Sequence, residues 1–450
     1  MIKSSYFAGK TVLIFGVSRT GISAIKSMIA SGANVVVSDD NLMHLEKVQE
    51  QFPNITTASL QDVNWSEVKF LLLSPGVPLY APIVHPVVEF AKNHNVEIIA
   101  DFDVLYMACP TANFIGITGT NGKSTTTALI GHVLSACGQK AQVGGNIGIS
   151  PLELTPQDDG VYVLELSSYQ LDLIQSMHLD TALFINITPD HIDRHGTFQR
   201  YLEAKAKIFT MLSPQGIGVA SLDYEEARNI ADKAPVKITF STKTKDADIY
   251  IKDRVLTDNI KGLEFSFADY KSLPGEHNEE NIAAAYAICV AQGLKPLEVV
   301  AAIKSFTGLK HRIETILQSS RYTFINDSKA TNADAAEKAL RCYEQIYWIA
   351  GGIAKDGGID GILPLIKERV RLTLLIGHAQ EQFADALAKL QLPFIKCGTL
   401  DQALNFLYEQ ANANGIVLLS PACASLDQFK DYEHRGDEFI RLVNEKFGSD

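Results

Sequence analysis

Apolar residues in this 450-residue chain gather into short continuous runs, each closed by glycine, proline or a small polar residue. Such runs read as strands buried on both faces of a parallel sheet. In the first segment they are Thr11-Val12-Leu13-Ile14-Phe15, Val35-Val36-Val37, Phe70-Leu71-Leu72-Leu73 and Val96-Glu97-Ile98-Ile99. A helical stretch follows the first run to Ser31, with Gly32 as its C-cap. In the central segment a run ending at Phe114-Ile115 is followed, after a glycine-rich turn, by Thr125 to Ala136, where Leu129, Ile130, Val133 and Leu134 have helical spacing. Val161 to Leu166 and Ala182 to Ile187 read as further strands, and Gly144 to Gly148 as a flexible turn. Thr197 to Leu212 has helical periodicity in Phe198, Tyr201, Ile208 and Phe209, and an alanine-rich helix opens near Asn281. The last segment repeats the alternation, with strands at Tyr322 to Asp327, Ile346 to Ala350, Leu372 to Ile376 and Ile416 to Leu419.

This alternation predicts an α/β protein with parallel sheets covered by helices. The length suits about three domains at roughly 150 residues each. Boundaries are expected near Cys109 and Phe306, giving segments 1–109, 110–306 and 307–450. The expected architecture is a Rossmann-like first domain, a central phosphate-loop ATPase domain and a Rossmann-like last domain.

Composition narrows the partners. A net charge of -12 argues against a non-specific nucleic-acid binder or membrane-surface protein. No apolar run approaches the ~20 residues needed to span a bilayer, and Met1 to Lys10 lacks a secretory pattern. Cys109, Cys137, Cys289, Cys342, Cys397 and Cys423 follow neither metal-ligand nor disulfide spacing, so reduced thiols in a cytoplasmic protein are expected. Nothing in the sequence points to membrane insertion or an obligate protein partner.

The strongest chemical signal is Gly116-Ile117-Thr118-Gly119-Thr120-Asn121-Gly122-Lys123-Ser124-Thr125. A glycine-rich turn between a strand and a helix aims backbone N–H groups and the positive helix end at an anion. Lys123 adds a mobile positive charge for the outer phosphates, and the Ser124 hydroxyl suits Mg²⁺. The spacing departs from the strict phosphate-loop pattern, because Ile117 stands five residues before Gly122. The expected ligand is a nucleoside triphosphate.

Other candidates lie where apolar runs end. Gly16-Val17-Ser18-Arg19-Thr20-Gly21, with Asp39 closing the next strand, is an imperfect dinucleotide fingerprint whose middle glycine is replaced by Ser18. On residues alone it fits a dehydrogenase cofactor domain or a turn that only packs helix on strand. Ser74-Pro75-Gly76 forms a rigid turn after a third run. Glu165 closes a strand beside the phosphate loop, a common way to hold Mg²⁺. His191 follows Thr188-Pro189-Asp190 after the next strand. Lys205 and Lys207 read, on pattern alone, as solvated helix lysines, Asn278 and Asn281 as a polar helix start, and Arg312 as an exposed loop residue.

Thr118-Gly119-Thr120-Asn121-Gly122-Lys123-Ser124 resembles the loop of the Mur ligases and folylpolyglutamate synthetases, ATP-dependent enzymes that form amide bonds. The resemblance extends through all three segments and is closest in Asp327-Ser328-Lys329-Ala330-Thr331-Asn332 and in Leu418 to Phe429. These two stretches resemble the Mur ligases that add D-glutamate to UDP-N-acetylmuramoyl-L-alanine. The Asp-Asn-Pro-Arg motif of diaminopimelate-adding members is not found.

The resemblance implies that Gly16, Ser18, Arg19, Thr20, Asp39, Asp40, Ser74, Pro75 and Gly76 face a UDP group, and not NAD. It implies ATP contacts from Gly119 to Thr125 and from Asn278, Asn281, Arg312, Asp327 and Lys329. Ser124 and Glu165 would hold one Mg²⁺; His191 and a carbamylated Lys205 would hold a second. Asn146 and His191 would lie near the muramoyl-alanine end, while Thr331, Lys355, Ser425 and Tyr432 would serve the substrate, the first three holding D-glutamate. Lys123, Glu165, His191 and Lys205 are thus the expected catalytic set. Another amino-acid ligase of the same superfamily is the nearest alternative. A nucleotide-dependent regulatory protein with a dead site is the alternative from a different class.

Overall fold

The computed structural model describes residues 1–80, 82–355, 357–410 and 414–448. Contacts divide the chain into two compact units. One comprises Met1–Ala268 and Glu279–Phe306; the other comprises Asp269–Asn278 and Thr307–Asp450. The described residues form three sheets, of five, nine and six strands. No helix among them is long and apolar enough to cross a membrane. All six cysteines are free.

The first sheet runs Thr56–Thr57, Asn34–Ser38, Thr11–Phe15, Val68–Leu73, Glu97–Ile99, parallel throughout. Its order reverses between Thr11–Phe15 and Val68–Leu73, so the loops after these two strands meet at a topological switch point. Gly16 (φ 90°) leaves the first strand, and the helix Arg19–Ala30 begins three residues later. A Cβ on Gly21 would stand 2.1 Å from the Gly16 carbonyl oxygen, so only glycine lets the helix approach the loop.

The central sheet runs Leu263–Ser266, Val255–Asp258, Ile249–Lys252, Val236–Ser241, Leu212–Ser221, Leu179–Phe184, Asn113–Thr118, Val161–Glu165, Ala141–Gly145. Three boundaries differ from the sequence reading. Gly144 and Gly145 do not belong to a loose turn; they end an edge strand paired with Val161–Glu165. A side chain on Gly145 would strike the Glu165 carbonyl, so the glycines that looked like turn residues permit close pairing. The strand before the phosphate loop continues through Thr118, and the following helix starts at Lys123. The Ala182-to-Ile187 run is a strand only to Phe184, and Ile185 to Ile187 lead out of the sheet.

First and central sheets share one apolar core, which includes Leu13, Leu71, Phe102, Leu152, Tyr162 and Phe184. The helix Asp101–Ala108 carries the chain between them. Its Asp103 carboxylate accepts from the Ala100 amide at 2.9 Å and from the amides of Gln175, Ser176 and Met177 at 2.7–3.1 Å. Asp101 is less well served: Oδ1 accepts from Phe102 N at 3.0 Å, while buried Oδ2 has no partner. Burial raises this carboxyl to about 7, and the Asp103 charge adds to the effect. Between its unfolded value near 4 and about 7 the folded chain therefore binds the extra proton, and this group's contribution to stability grows as pH falls through that window. Asp101→Asn is expected to stabilise the protein at pH 8 relative to wild type, with the advantage fading towards pH 5; urea melts at both pH values check the direction.

In the second unit the sheet order is Glu314–Gln318, Tyr322–Asn326, Gly415–Leu419, Ile346–Gly351, Val370–Ile376, Phe394–Gly398. The first strand is an antiparallel edge and the others are parallel. Separate cores cover the two faces, one around Trp348, Leu340 and Phe383, the other around Phe324, Leu404 and Phe439.

Candidate active site

The phosphate loop joins the strand Asn113–Thr118 to the helix Lys123–Ala136. Gly122 caps that helix in the left-handed region (φ 80°), a conformation costly to any residue with a Cβ. The Lys123 ammonium folds back over the loop, donating to the carbonyls of Gly119 at 2.9 Å and Thr120 at 3.0 Å. Ser124 is buried in the first turn, where helix N–H groups lack intrahelical acceptors. Gly119, Thr120, Asn121 and Thr125 complete the segment named from sequence.

Glu165 ends the neighbouring strand in register with Ile117. It is 2 % exposed; Oε1 accepts from Asn146 Nδ2 at 2.8 Å, and buried Oε2 has no hydrogen-bond partner. An ionised oxygen left this way costs several kcal/mol unless a cation meets it. With the Ser124 hydroxyl on the adjacent helix start, the donor set is hard oxygen and fits Mg²⁺. Among the described residues no group of three or more His, Cys, Asp or Glu side chains forms a metal cage by itself.

Lys205 departs furthest from its sequence pattern. It lies on the helix Phe198–Thr210 and is 2 % exposed, not solvated. Its Nζ donates to Gly119 O at 2.8 Å and to Thr118 Oγ1 at 3.3 Å, beneath the phosphate loop. Burial, and then the Lys123 charge, push its pKa well below the ordinary lysine value, with Asp190 and Glu165 opposing. Lys207, half-buried on another helix face, donates to the carbonyls of Ile174 at 2.6 Å and Asp172 at 3.2 Å.

His191 stands beyond the strand end, at φ 51°, where it caps the short helix Ile192–His195. Its Nδ1 is 3.1 Å from the Tyr169 hydroxyl, and Nε2 is 3.5 Å from Asp190 Oδ2. Asn281 packs against the phosphate loop, accepting from Thr126 Oγ1 at 3.0 Å, and its Oδ1 lies 2.4 Å from where a Gly122 Cβ would stand. Sequence reasoning passed over Tyr201, whose hydroxyl is 3.1 Å from Thr120 Oγ1, and over Asn186. The only signal for Asn186 was a polar residue inside the apolar run Ile185-Asn186-Ile187.

At the first sheet's switch point, Asp39 holds the Gly16-to-Gly21 loop in shape. Its Oδ2 accepts from Val17 N at 2.7 Å and its Oδ1 from Asn41 N at 2.8 Å. Ser74 donates to Gly16 O at 2.5 Å, with Pro75 and Gly76 next in the turn, and Asp40 Oδ2 is 2.9 Å from His85 Nε2. Arg19 donates to Gly148 O, which joins this loop to the segment carrying Asn146; Ser18 and Thr20 flank it.

In the second unit, three adjacent strand ends carry Asp327, Lys329, Thr331, Lys355 and Ser425. Asp327 is buried and accepts from Ser420 Oγ at 2.7 Å and Ile313 N at 3.2 Å; burial raises its carboxyl to about 7. Lys329 Nζ sits 3.7 Å from the Tyr432 ring centroid. Ile353 and Ala424 exchange backbone bonds of 2.9 Å, which draws the Lys355 loop against the Ser425 loop. Lys355 is exposed, Thr331 half-buried and Ser425 buried. Arg435, absent from the sequence reading, is fully buried and ties two of these loops, donating to Ser328 O at 2.8 Å and Cys423 O at 3.1 Å. Arg312 is half-buried, and Asn278 donates to Pro274 O at 2.6 Å.

Residues 10–100 match the family described as Mur ligase MurD-like, N-terminal domain. Residues 117–289 match the Mur ligase middle domain, and residues 311–423 the Mur ligase, glutamate ligase domain. A UDP-N-acetylmuramoylalanine--D-glutamate ligase from Phenylobacterium zucineum is 41 % identical, with 98 % of each chain covered. One of the same name from Caulobacter vibrioides is 42 % identical over 99 % of this chain and 98 % of the relative. The chain belongs to the Mur ligase family.

Solved Mur ligases share its fold. The UDP-N-acetylmuramate-alanine ligase of Thermotoga maritima superposes with a TM-score of 0.61 at 18 % identity, covering 97 % of this chain and 99 % of the other. MurF from Acinetobacter baumannii gives 0.60 at 18 % identity, covering 98 % and 93 %. As a Mur ligase the protein is an enzyme, an ATP-dependent ligase of peptidoglycan precursor synthesis in a family that requires Mg²⁺. Lys329, Thr331 and Lys355 fall inside the stretch matched to the glutamate ligase domain, whereas Ser425 and Tyr432 lie just past it.

Proposed function

We propose that this Mur ligase joins D-glutamate to UDP-N-acetylmuramoyl-L-alanine, with ATP activating the carboxylate as an acyl phosphate that the D-glutamate amine attacks. The observation that carries this reading is the near-full-length identity to relatives bearing the D-glutamate ligase name. Detection of the glutamylated UDP-sugar by mass spectrometry after incubation with the three substrates tests it.

In this reading the phosphate loop, Gly119 to Thr125, cradles ATP, and Lys123 turns from its own loop carbonyls to the transferred phosphoryl group. Ser124 and Glu165 would hold Mg²⁺, which would neutralise charge on the triphosphate when bound. The unpartnered Glu165 oxygen supports that assignment. His191 and a carbamylated Lys205 would hold a second Mg²⁺; the burial and depressed pKa of Lys205 support this role, because only the neutral amine takes up CO₂. The family resemblance extends the ATP contacts to Asn281 and, among residues of the second unit, to Asn278, Arg312, Asp327 and Lys329. The Gly16-to-Gly21 loop, Asp39, Asp40 and Ser74 to Gly76 take the UDP group at a switch point of the kind that binds nucleotides in open α/β sheets. Asn146 and His191 serve the muramoyl-alanine end. The working divisions are 1–109, 110–306 and 307–450, and the reaction belongs to the cytoplasm, without an obligate protein partner.

Thr331, Lys355 and Ser425 form the acceptor side, and Tyr432 serves the substrate nearby in sequence. A cation with two hydroxyls suits the second carboxylate of glutamate, which alanine lacks. Lys355→Met is expected to raise the Michaelis constant for D-glutamate at least tenfold, with that for ATP changing less than about threefold. Steady-state phosphate release at varied D-glutamate and varied ATP measures both; equal shifts would remove Lys355 from the acceptor site.

A further inference from the structure

Two successive backbone amides of the phosphate loop are committed to one side chain. Thr120 N (3.1 Å) and Asn121 N (2.9 Å) both donate to Asn186 Oδ1, and Thr120 N is also 3.0 Å from Asn186 O. Asn186 is 3 % exposed and lies two residues past the strand Leu179–Phe184. Its other amide atom, Nδ2, donates to Glu280 Oε2 at 2.8 Å. Glu280 sits on the helix Glu276–Ala291 beside Asn281, which touches the same loop from the Gly122 side.

The chemistry of this chain of contacts is directional. A carboxamide presents an acceptor at one end and a donor at the other, and the two ends are nearly equal in shape. The loop amides demand the acceptor. A carboxylate opposite demands the donor, so Glu280 selects the rotamer in which Oδ1 meets the loop. We infer that Glu280 is a positioning residue for the phosphate loop, acting through the Asn186 carboxamide to hold Thr120 and Asn121 in the turn that ATP requires. The inference rests on ATP occupying this loop, and the experiment separates the two claims.

Calorimetric titration of the full chain with Mg²⁺-ATP provides the readout. Glu280→Lys places a donor against Nδ2 and favours the flipped amide, which would set an NH₂ group against two N–H groups. ATP affinity is expected to fall about tenfold or more. Glu280→Gln keeps an acceptor and is expected within about threefold of wild type. Asn186→Asp keeps the acceptor for the loop but puts two carboxylates together, and should also weaken binding. In the double variant Asn186→Asp with Glu280→Lys the pair becomes complementary, and affinity is expected to recover to within about threefold of wild type. Wild-type affinity in Glu280→Lys, or a double variant no tighter than Asn186→Asp, overturns the inference. Lys123→Ala is the control for the loop itself: near-native phosphate release from this variant at saturating ATP means that the loop assignment fails, and this inference falls with it.

Discussion

Lys123→Ala is expected to lower kcat about a thousandfold or more while leaving the fold intact. The reason is the location of the charge. In the free protein Lys123 Nζ closes the loop on two of its own carbonyls, at 2.9 and 3.0 Å, and loss of these two bonds costs roughly 1 kcal/mol of stability. During phosphoryl transfer the same ammonium meets charge that develops on the transferred group, where no water can replace it. Loss should therefore fall on turnover and not on folding. Saturating-ATP phosphate release together with a thermal melt separates the two: near-native release would disprove the phosphate-loop assignment.

Lys205→Ala is expected to be nearly inactive, and short carboxylates added to the buffer should partly restore it. An ammonium cannot ligate Mg²⁺ and would be repelled by it. Loss of the ammonium proton followed by addition of the amine to CO₂ gives an N–C bond, releases a second proton and leaves an anionic carbamate with two hard oxygen donors. The side chain is already burdened as an ammonium, since it is buried near Lys123 with a pKa pushed well down. Acetate could supply equivalent oxygens in the space left by truncation. Lys207→Ala should behave differently, because Lys207 Nζ ties down the Asp172 and Ile174 carbonyls and has no phosphate-loop partner among its two hydrogen bonds. It should lose stability more than turnover. Activity of Lys205→Ala comparable to wild type, unaffected by acetate, would remove the residue from the site.

The residues that the sequence made legible are those whose local pattern and tertiary setting agree. Thr11–Phe15 and Ile346–Gly351 are apolar runs buried on both faces, and both are central strands. Glu165 was legible because a carboxylate at the end of such a strand has few solvent-facing alternatives. Ala141–Gly145 was hidden because its glycines, needed to approach Glu165, carry the same letters as a turn. The helical pattern of Phe198–Thr210 places Lys205 between alanines and says nothing of the loop above it; family resemblance pointed to the residue where periodicity did not. Asn186 and Glu280 act through partners 65 to 94 positions away in sequence, and Arg435 reaches Ser328 across 107 positions, which no local window contains. The shared core of the first and central sheets was not legible, since the apolar faces that meet there are ordinary strand and helix faces in sequence.

The most direct test is phosphate release from ATP with UDP-N-acetylmuramoyl-L-alanine and a panel of amino acids offered one at a time. D-Glutamate is expected to drive release, with formation of the glutamylated UDP-sugar, while L-glutamate, D-alanine and diaminopimelate remain near background. Release driven equally by another amino acid, or release without any dependence on the amino acid supplied, would contradict a D-glutamate ligase.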